Sequence, residues 1–476
     1  MGHGIAFSFV ITVIFASVIT ASAGSSSSGT HIINTHWDEN DIITRDVCVI
    51  GGGSSGTYAA VRLRDMNQSV VIIERKNRLG GNTETYTDPA TQVKIDIGVQ
   101  IFHNISIVTS YFARFGIPLT TVDLTVPGQV TQYVDFRTGA LVNGYSPSDP
   151  TAALGAYAAQ LANYPYLNSG FQLPTPVPSD LVLPFGEFIT KYDISAAVNT
   201  IFDFGEGIGD LLSIPTLYVM KLIGLPTFEA IETGFLTTAA HDNSAIYEKI
   251  QALLLSQNAL LLESHIVATD RTNTGDGFVK IVVSTPSGLK LIKAKKIVLS
   301  IPPIIQNLAN FDLDTLERSL FNEFNTTGYY TGLLRNSGIP DNVSLANTGA
   351  NTLYNLPVLP GIYSINPTGV PGLHMFQYGS EIPLPNDQVK ADVLASLKRL
   401  ETAGTIATAT PEFAVFSGHV PFEFTVSASA IENGFYDQLD ALQSYRKTFY
   451  TGATFDTQDS SLLWQFTEAL LPLIVA

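Results

Sequence analysis

The chain has 476 residues, 45% apolar and only 14% charged, enough to bury more than one core and too apolar to stay disordered. Its 42 acidic residues outnumber 25 Lys and Arg, and a net charge of −17 argues against nucleic acid or an anionic membrane surface as a partner. A single cysteine, Cys48, excludes an intramolecular disulfide and any CxxC site; within an apolar run it reads as a buried strand residue.

At the N-terminus, residues 5–19 are almost wholly apolar and Ala21-Ser22-Ala23 follows. This pattern predicts a secretory signal peptide over 1–23, with an uncleaved membrane anchor as the alternative. Residues 24–44 open on a serine run and read as a flexible linker. Asn-X-Ser/Thr sequons stand at Asn67, Asn104, Asn325 and Asn342, and in an exported chain Asn67 and Asn342, in polar turns, are the better glycan acceptors.

Residues 46–50 form a short apolar strand followed at once by Gly51-Gly52-Gly53-Ser54-Ser55-Gly56, a G-x-G-x-x-G loop. Ala59, Ala60 and Leu63 give the next segment helical spacing, and Val70-Val71-Ile72-Ile73 is a second strand ending on Glu74. The first glycine permits a tight turn, the second lets backbone approach a pyrophosphate, and the third lets helix and strand pack closely. The helix N-terminus attracts phosphate, and an acid about twenty residues on accepts ribose hydroxyls. Such a loop binds FAD or NAD; on its own it does not separate them.

Next come Arg78, Gly80, Gly81 and Thr85, then Ile95-Asp96-Ile97-Gly98-Val99-Gln100. These resemble the R-x-G-G-R-x-x-T/S and D-x-G segments of the flavin-containing amine oxidase superfamily, with Asn82 where that family usually has Arg. A helix over 244–255 and strands over 260–269, 278–285 and 289–301 fit the same plan. So does Phe449-Tyr450-Thr451-Gly452-Ala453 before a last helix opening at Asp459. The resemblance implies an α/β fold: an FAD/NAD(P)-binding Rossmann-like domain of the glutathione reductase type 2, amine oxidase-like kind, interleaved with an α+β substrate domain. The expected bounds are 45–105, 255–310 and 430–476 for the FAD domain, and 106–254 and 311–429 for the substrate domain. No second G-x-G-x-x-G occurs, since Gly205-Glu206-Gly207-Ile208-Gly209 has the wrong spacing. That favours an enzyme oxidising an organic substrate, with O2 the simplest acceptor, over one fed by NAD(P)H.

Gly434-Phe435-Tyr436, Leu442-Gln443 and the 449–453 string narrow the resemblance to the fungal β-cyclopiazonate dehydrogenase family. It implies FAD and a small-molecule substrate, a secondary metabolite or amine-like compound. The cofactor set it implies is Gly51, Gly53, Ser54, Ser55, Gly56, Glu74, Arg75, Gly80, Gly81, Asn82, Thr83, Gly98, Val99, Gln100, Ile266, Gly452, Asp459, Ser460, Ser461 and Leu462. Ile266 would meet the adenine through its backbone, with Val267 as the other register.

Amine oxidases usually place a Lys beside the flavin, but the comparable strand, 328–334, has none. Tyr329 or Tyr330 is the candidate catalytic group there. His419 stands near the point where monoamine oxidases attach flavin through Cys. It is either an 8α-histidyl link to FAD or an active-site polar group. Phe376, Tyr378, Phe422 and Phe424 are candidates for an apolar pocket wall. An amine or L-amino-acid oxidase, and a secreted flavin-binding protein without catalysis, remain as alternatives.

Overall fold

The computed structural model describes residues 32–122, 126–272 and 274–476; the expected signal peptide and the serine run lie outside them. Strand Ile42–Ile50 sits between Val70–Ile73 and Gly288–Leu299, parallel to both, and Leu260–Leu261 extends the sheet beyond Val70–Ile73. Gly288–Leu299 also closes an antiparallel meander with His265–Asp270 and Val279–Thr285, and its last residues pair in parallel with Thr448–Tyr450. Val47 through Ile50 are buried without alternation, as expected of a parallel strand covered on both faces. Cys48 is fully buried among them.

The expected linker over 24–44 ends earlier. The strand begins at Ile42, and Ile33 is buried against Ala268, Val282 and Leu291. The expected strand 260–269 is interrupted at Glu263, where φ is +50°. There Glu263 N donates to Lys76 O (3.0 Å) and Ser264 N to Glu74 O (2.9 Å), so the chain steps over the end of the second strand.

The nucleotide-side body is larger than the 45–105 and 255–310 bounds. Helix Ser106–Arg114 contributes Val108 and Phe112 to the same core as Val47, Ile72 and Trp464. Helix Ala245–Ser256 adds Ile246, Ile250 and Leu254 to that core. Both helices place apolar residues at i, i+4 spacing on the face that meets this sheet, so they belong with the Rossmann-like layer.

The second sheet has seven strands in the order Glu412–His419, Gly328–Arg335, Leu373–Ser380, Gly361–Pro367, Val343–Asn347, Val130–Asp135 and Ala140–Leu141. One face packs under helix Asn386–Thr402, which buries Val389, Val393, Leu397 and Leu400 against Tyr330, Ile362, Phe376 and Tyr378. The other face turns toward the first body, where Leu333 meets Ile95 and Ile97.

Candidate functional site

The glycine loop is held by backbone alone at several points. Gly80 N donates to Gly52 O (2.8 Å), and a Cβ on Gly81 would stand 2.9 Å from Gly53 Cα. Gly51, Gly80, Gly81 and Gly452 all have positive φ, and a Cβ on Gly452 would approach Ser300 O (3.2 Å) and Ser55 Oγ (3.7 Å). Three chain segments far apart in sequence therefore converge on one turn. Gly98 is fixed equally closely, since a Cβ there would overlap the Asn82 carbonyl oxygen.

Glu74 lies at this turn. Its Oε2 accepts from Gly52 N (2.6 Å) and its Oε1 from Lys76 N (2.7 Å), so the carboxylate ties the loop to the strand end. Arg75 and Asn82 are exposed beside it. Thr83 is buried with no hydrogen bond of ordinary geometry to its Oγ1, and the same holds for the Tyr247 hydroxyl. Ser54, Thr83 and Ser460 all lie against that hydroxyl. Trp464 Nε1 donates to Ser54 Oγ (2.9 Å), which links the first helix to the last.

The last helix, Ser460–Val475, is capped by Asp459, whose side chain accepts from Leu462 N (2.9 Å). Ser461 Oγ accepts from His103 N (2.9 Å), and His103 Nε2 lies 3.4 Å from Asp459 Oδ2. Burial opposes charge on His103, but the Asp459 carboxylate outweighs it and the imidazole is shifted upward. Asp459 is held below the ordinary range because the His103 attraction and the helix N–H groups outweigh its own burial.

Val99 and Gln100 are positioned by a residue that sequence reading did not select. Asn243 Nδ2 donates to both of their carbonyls (3.0 and 3.1 Å), and Asn243 N donates to Asp96 Oδ1 (2.9 Å). Gln100 Nε2 lies 3.4 Å from Met375 Sδ on the second sheet. Ile266 is half-buried on the meander edge, its carbonyl taken by Asn310 Nδ2 (2.8 Å).

The two candidate tyrosines separate. Neighbouring strand residues point to opposite faces. Tyr330 is fully buried under helix Asn386–Thr402, its hydroxyl donating to Leu384 O (2.8 Å), so it is a core residue and not a catalytic one. Phe376 and Tyr378 lie in the same core and form no pocket wall. Tyr329 faces the first body. It pairs in register with His419, their rings 5.8 Å apart, and Phe422 lies 5.0 Å from Tyr329. Phe422 O accepts from Gln458 Nε2, which brings this group against the start of the last helix. Phe424 is buried against Phe324 instead.

His419 is 3% exposed, and its Nε2 has no hydrogen-bond partner among the described residues. Burial, with the Lys76 and Arg78 charges against it and Glu84 for it, pushes the imidazole down to about 4, so it is neutral at physiological pH. Tyr329 donates to Glu206 Oε2 (3.1 Å). Glu206 follows helix Val198–Phe204 in a turn where Gly207 has φ +91° and Gly207 N donates to the Tyr363 hydroxyl (3.1 Å). Burial and the nearby Asp203 charge, against the Tyr329 hydrogen bond, push Glu206 up to about 8. An acid in a glycine-rich turn of an otherwise apolar segment was the available signal for Glu206.

A buried lysine is present away from strand 328–335. Lys221 Nζ donates to Asp456 Oδ1 (2.7 Å) and Leu167 O (2.8 Å).

A family model described as an NAD(P)-binding Rossmann-like domain matches residues 49–115. The chain is 41% identical to the FAD-dependent oxidoreductase oblC of Cochliobolus heterostrophus, over 97% of this chain and 98% of that one. It is 35% identical to the β-cyclopiazonate dehydrogenase of Aspergillus oryzae, over 91% and 94%. Among solved structures, the CLA-producing fatty acid isomerase from P. acnes superposes with a TM-score of 0.73 at 19% identity, over 91% of this chain and 99% of that one. Cyclohexylamine oxidase from Brevibacterium oxydans superposes with a TM-score of 0.60 at 16% identity, over 91% and 100%. At these identities the structures speak to fold, which is that of the amine oxidase-type FAD proteins.

Proposed function

The chain belongs to the family of FAD-dependent oxidoreductases that includes β-cyclopiazonate dehydrogenase, and from that premise we propose that it oxidises a secondary metabolite by hydride removal, with O2 as the final acceptor. FAD, when bound, supplies a two-electron hydride acceptor. The residues present fit it. Gly81 packs backbone to backbone on Gly53 and Gly452 lies against Ser300 O, while Gly51, Gly52 and Gly80 leave no room for a Cβ beside Ser300, Leu79 and Tyr247; the buried Thr83 and Tyr247 hydroxyls stand at this glycine cradle without well-formed hydrogen bonds among the described residues. In this reading Gly51, Gly53, Ser54, Ser55, Gly56, Gly80, Gly81 and Thr83 hold the pyrophosphate, and Glu74 holds the adenosine ribose. The backbone of Gly98, Val99 and Gln100 lies along the flavin, and Asp459 through Leu462 present a helix N-terminus to it. Arg75, Asn82 and Ile266 complete the set at its edges.

The observation that carries substrate oxidation is the meeting of Tyr329, His419 and Phe422 on the sheet face turned toward that cradle. These side chains bind and orient a substrate and exclude water from it. Anaerobic mixing of the holoprotein with β-cyclopiazonate, tryptamine, benzylamine and benzyl alcohol tests the reading. At least one compound should bleach the flavin, and air should restore it with peroxide release. Bleaching by none of them, or recovery only with an added acceptor, overturns the substrate class or the O2 assignment respectively.

Export is part of the proposal. Asn67, Asn104, Asn325 and Asn342 are all exposed, which supports glycan attachment behind a signal peptide over 1–23. Expression in a secreting host should give a medium form whose mass falls on endoglycosidase treatment.

A further inference from the structure

Oxidation of a C–H bond next to O–H, N–H or a second C–H releases a proton as well as a hydride. FAD, when bound, would supply the two-electron hydride acceptor; the proton needs another acceptor and a way out. Tyr329 faces the cradle and its hydroxyl already donates to Glu206 Oε2. Glu206 is half-buried, and Asp203, three residues back at the end of the same helix, is exposed. The adjoining walls are aromatic: Tyr363 lies 6.5 Å from Tyr329 and 5.3 Å from Phe202, and Phe422 closes over Gly207. On the same face His419 leaves Nε2 unpartnered at 3% exposure, its ring beside Tyr329, so a polar ligand atom is wanted there.

We propose that Tyr329, Glu206 and Asp203 form a proton exit route, in which Tyr329 takes the substrate proton while passing its own to Glu206, and Glu206 releases it through Asp203 to solvent. The proposal rests on the oxidase reading above. Atoms balance: the substrate loses one hydride, which FAD when bound would accept, and one proton; Tyr329 gains that proton as it gives its own to Glu206, so the phenol stays intact and Glu206 carries the proton until release.

Proton affinity falls outward from Tyr329 to Glu206, so outward transfer is uphill and is drawn forward by loss of the Glu206 proton to solvent as pH rises toward the Glu206 value. Tyr329 is shifted upward by burial and by the Glu206 charge. Glu206 stands at about 8, and Asp203 is exposed, which suits the last group before solvent. Among the described residues the groups interacting with Glu206 are Tyr329, Asp203 and Tyr363, none of them a cation. Tyr329 feels Glu206 and Tyr363 and sits beside the neutral His419. Asp203 in turn acts on Tyr133 and Tyr145. Glu206 acts through Tyr329 and is a positioning residue and relay.

Two measurements on the holoenzyme test the route. Dicyclohexylcarbodiimide reacts with protonated carboxyls, so mass-spectrometric labelling of Glu206 should fall with a midpoint near pH 8, and this midpoint should move upward in Tyr329→Phe. Labelling with the midpoint of an ordinary glutamate overturns the proposal. In stopped flow, with the compound that bleaches the flavin, the reduction rate should rise about tenfold per pH unit up to about pH 8. E206Q should lower it by about 100-fold or more and flatten the profile, while E206D keeps the rising limb. A wild-type rate and profile in E206Q sinks the relay and leaves the oxidase reading intact; no bleaching of the wild-type enzyme by any compound sinks the reading itself.

Discussion

Lys221→Met should be costly to stability although Lys221 lies outside the cofactor cradle. Lys221 is 5% exposed on helix Thr216–Leu222, and its ammonium lies 2.7 Å from Asp456 Oδ1 and 5.0 Å from the Phe171 ring centre. Asp456 is 2% exposed; its Oδ1 also accepts from Gly170 N (2.8 Å), and its Oδ2 accepts from none of the described residues. The pair thus pins segment 167–171 and a substrate-side helix to the 452–459 loop of the nucleotide side. Methionine fills much of the lysine stem but leaves a buried carboxylate facing one backbone N–H. Breaking a buried pair in this way costs about 3–5 kcal/mol, whereas removing both charges is often near neutral. Denaturant unfolding of holoprotein, followed by tryptophan fluorescence and flavin release, should give that loss for K221M. K221M/D456N should recover at least about 2 kcal/mol as a coupling energy. Burial raises Asp456 despite the lysine, so the native state binds its proton more tightly than the unfolded chain does. Stability from this group is therefore greatest at low pH and lost as pH rises, and the K221M deficit should be smaller at pH 5 than at pH 7.5. A loss under about 1 kcal/mol, or a double variant no better than K221M, refutes the reasoning.

His419 makes a second pH prediction, of the opposite sense. Its folded value of about 4 lies below an unfolded value of about 6.5, so the unfolded chain binds more protons between the two. Stability should be complete above pH 6.5 and fall by about 3 kcal/mol as pH drops to 4; H419Q should flatten that slope, and an unchanged slope contradicts the burial argument. Acid precipitation of the holoprotein tests the 8α-histidyl link: flavin remaining with wild-type polypeptide and released from H419Q supports it, and full release from both removes it. Gly98→Ala would set a methyl group into the Asn82 carbonyl, so the purified variant should contain little flavin by absorbance, and full yellow loading would show that the 82–98 backbone contact is dispensable.

The sequence made the nucleotide side legible because its constraints are local. A glycine is required where backbone meets backbone, as at Gly81 against Gly53, and the strand–loop–helix order is written within 30 residues. The substrate side has no such punctuation. Asn243 secures Val99 and Gln100 from about 140 residues away, through two carbonyls that no local pattern reveals. The Lys221–Asp456 pair is hidden for the same reason: its two charges lie 235 residues apart, and neither stands in a local pattern that predicts the other.

Tyr329 and Tyr330 show where chain-local reading stops. Both are apolar-bodied phenols in one strand, and composition treats them alike. The pleat sends one to each face, and the choice depends on which face helix Asn386–Thr402 covers. That helix buries Tyr330, so Tyr329 is left to the cradle side, opposite His419 and in reach of Glu206. Glu206 then acquires meaning only through Tyr329: in sequence it is an acid inside a failed glycine motif. One face assignment therefore decides three residues together. It also makes the scheme vulnerable at a single point, since Tyr330→Phe should lose its Leu384 hydrogen bonds and some stability while leaving the pH profile of flavin reduction unchanged. A shifted profile in that variant would put the wrong tyrosine in the site.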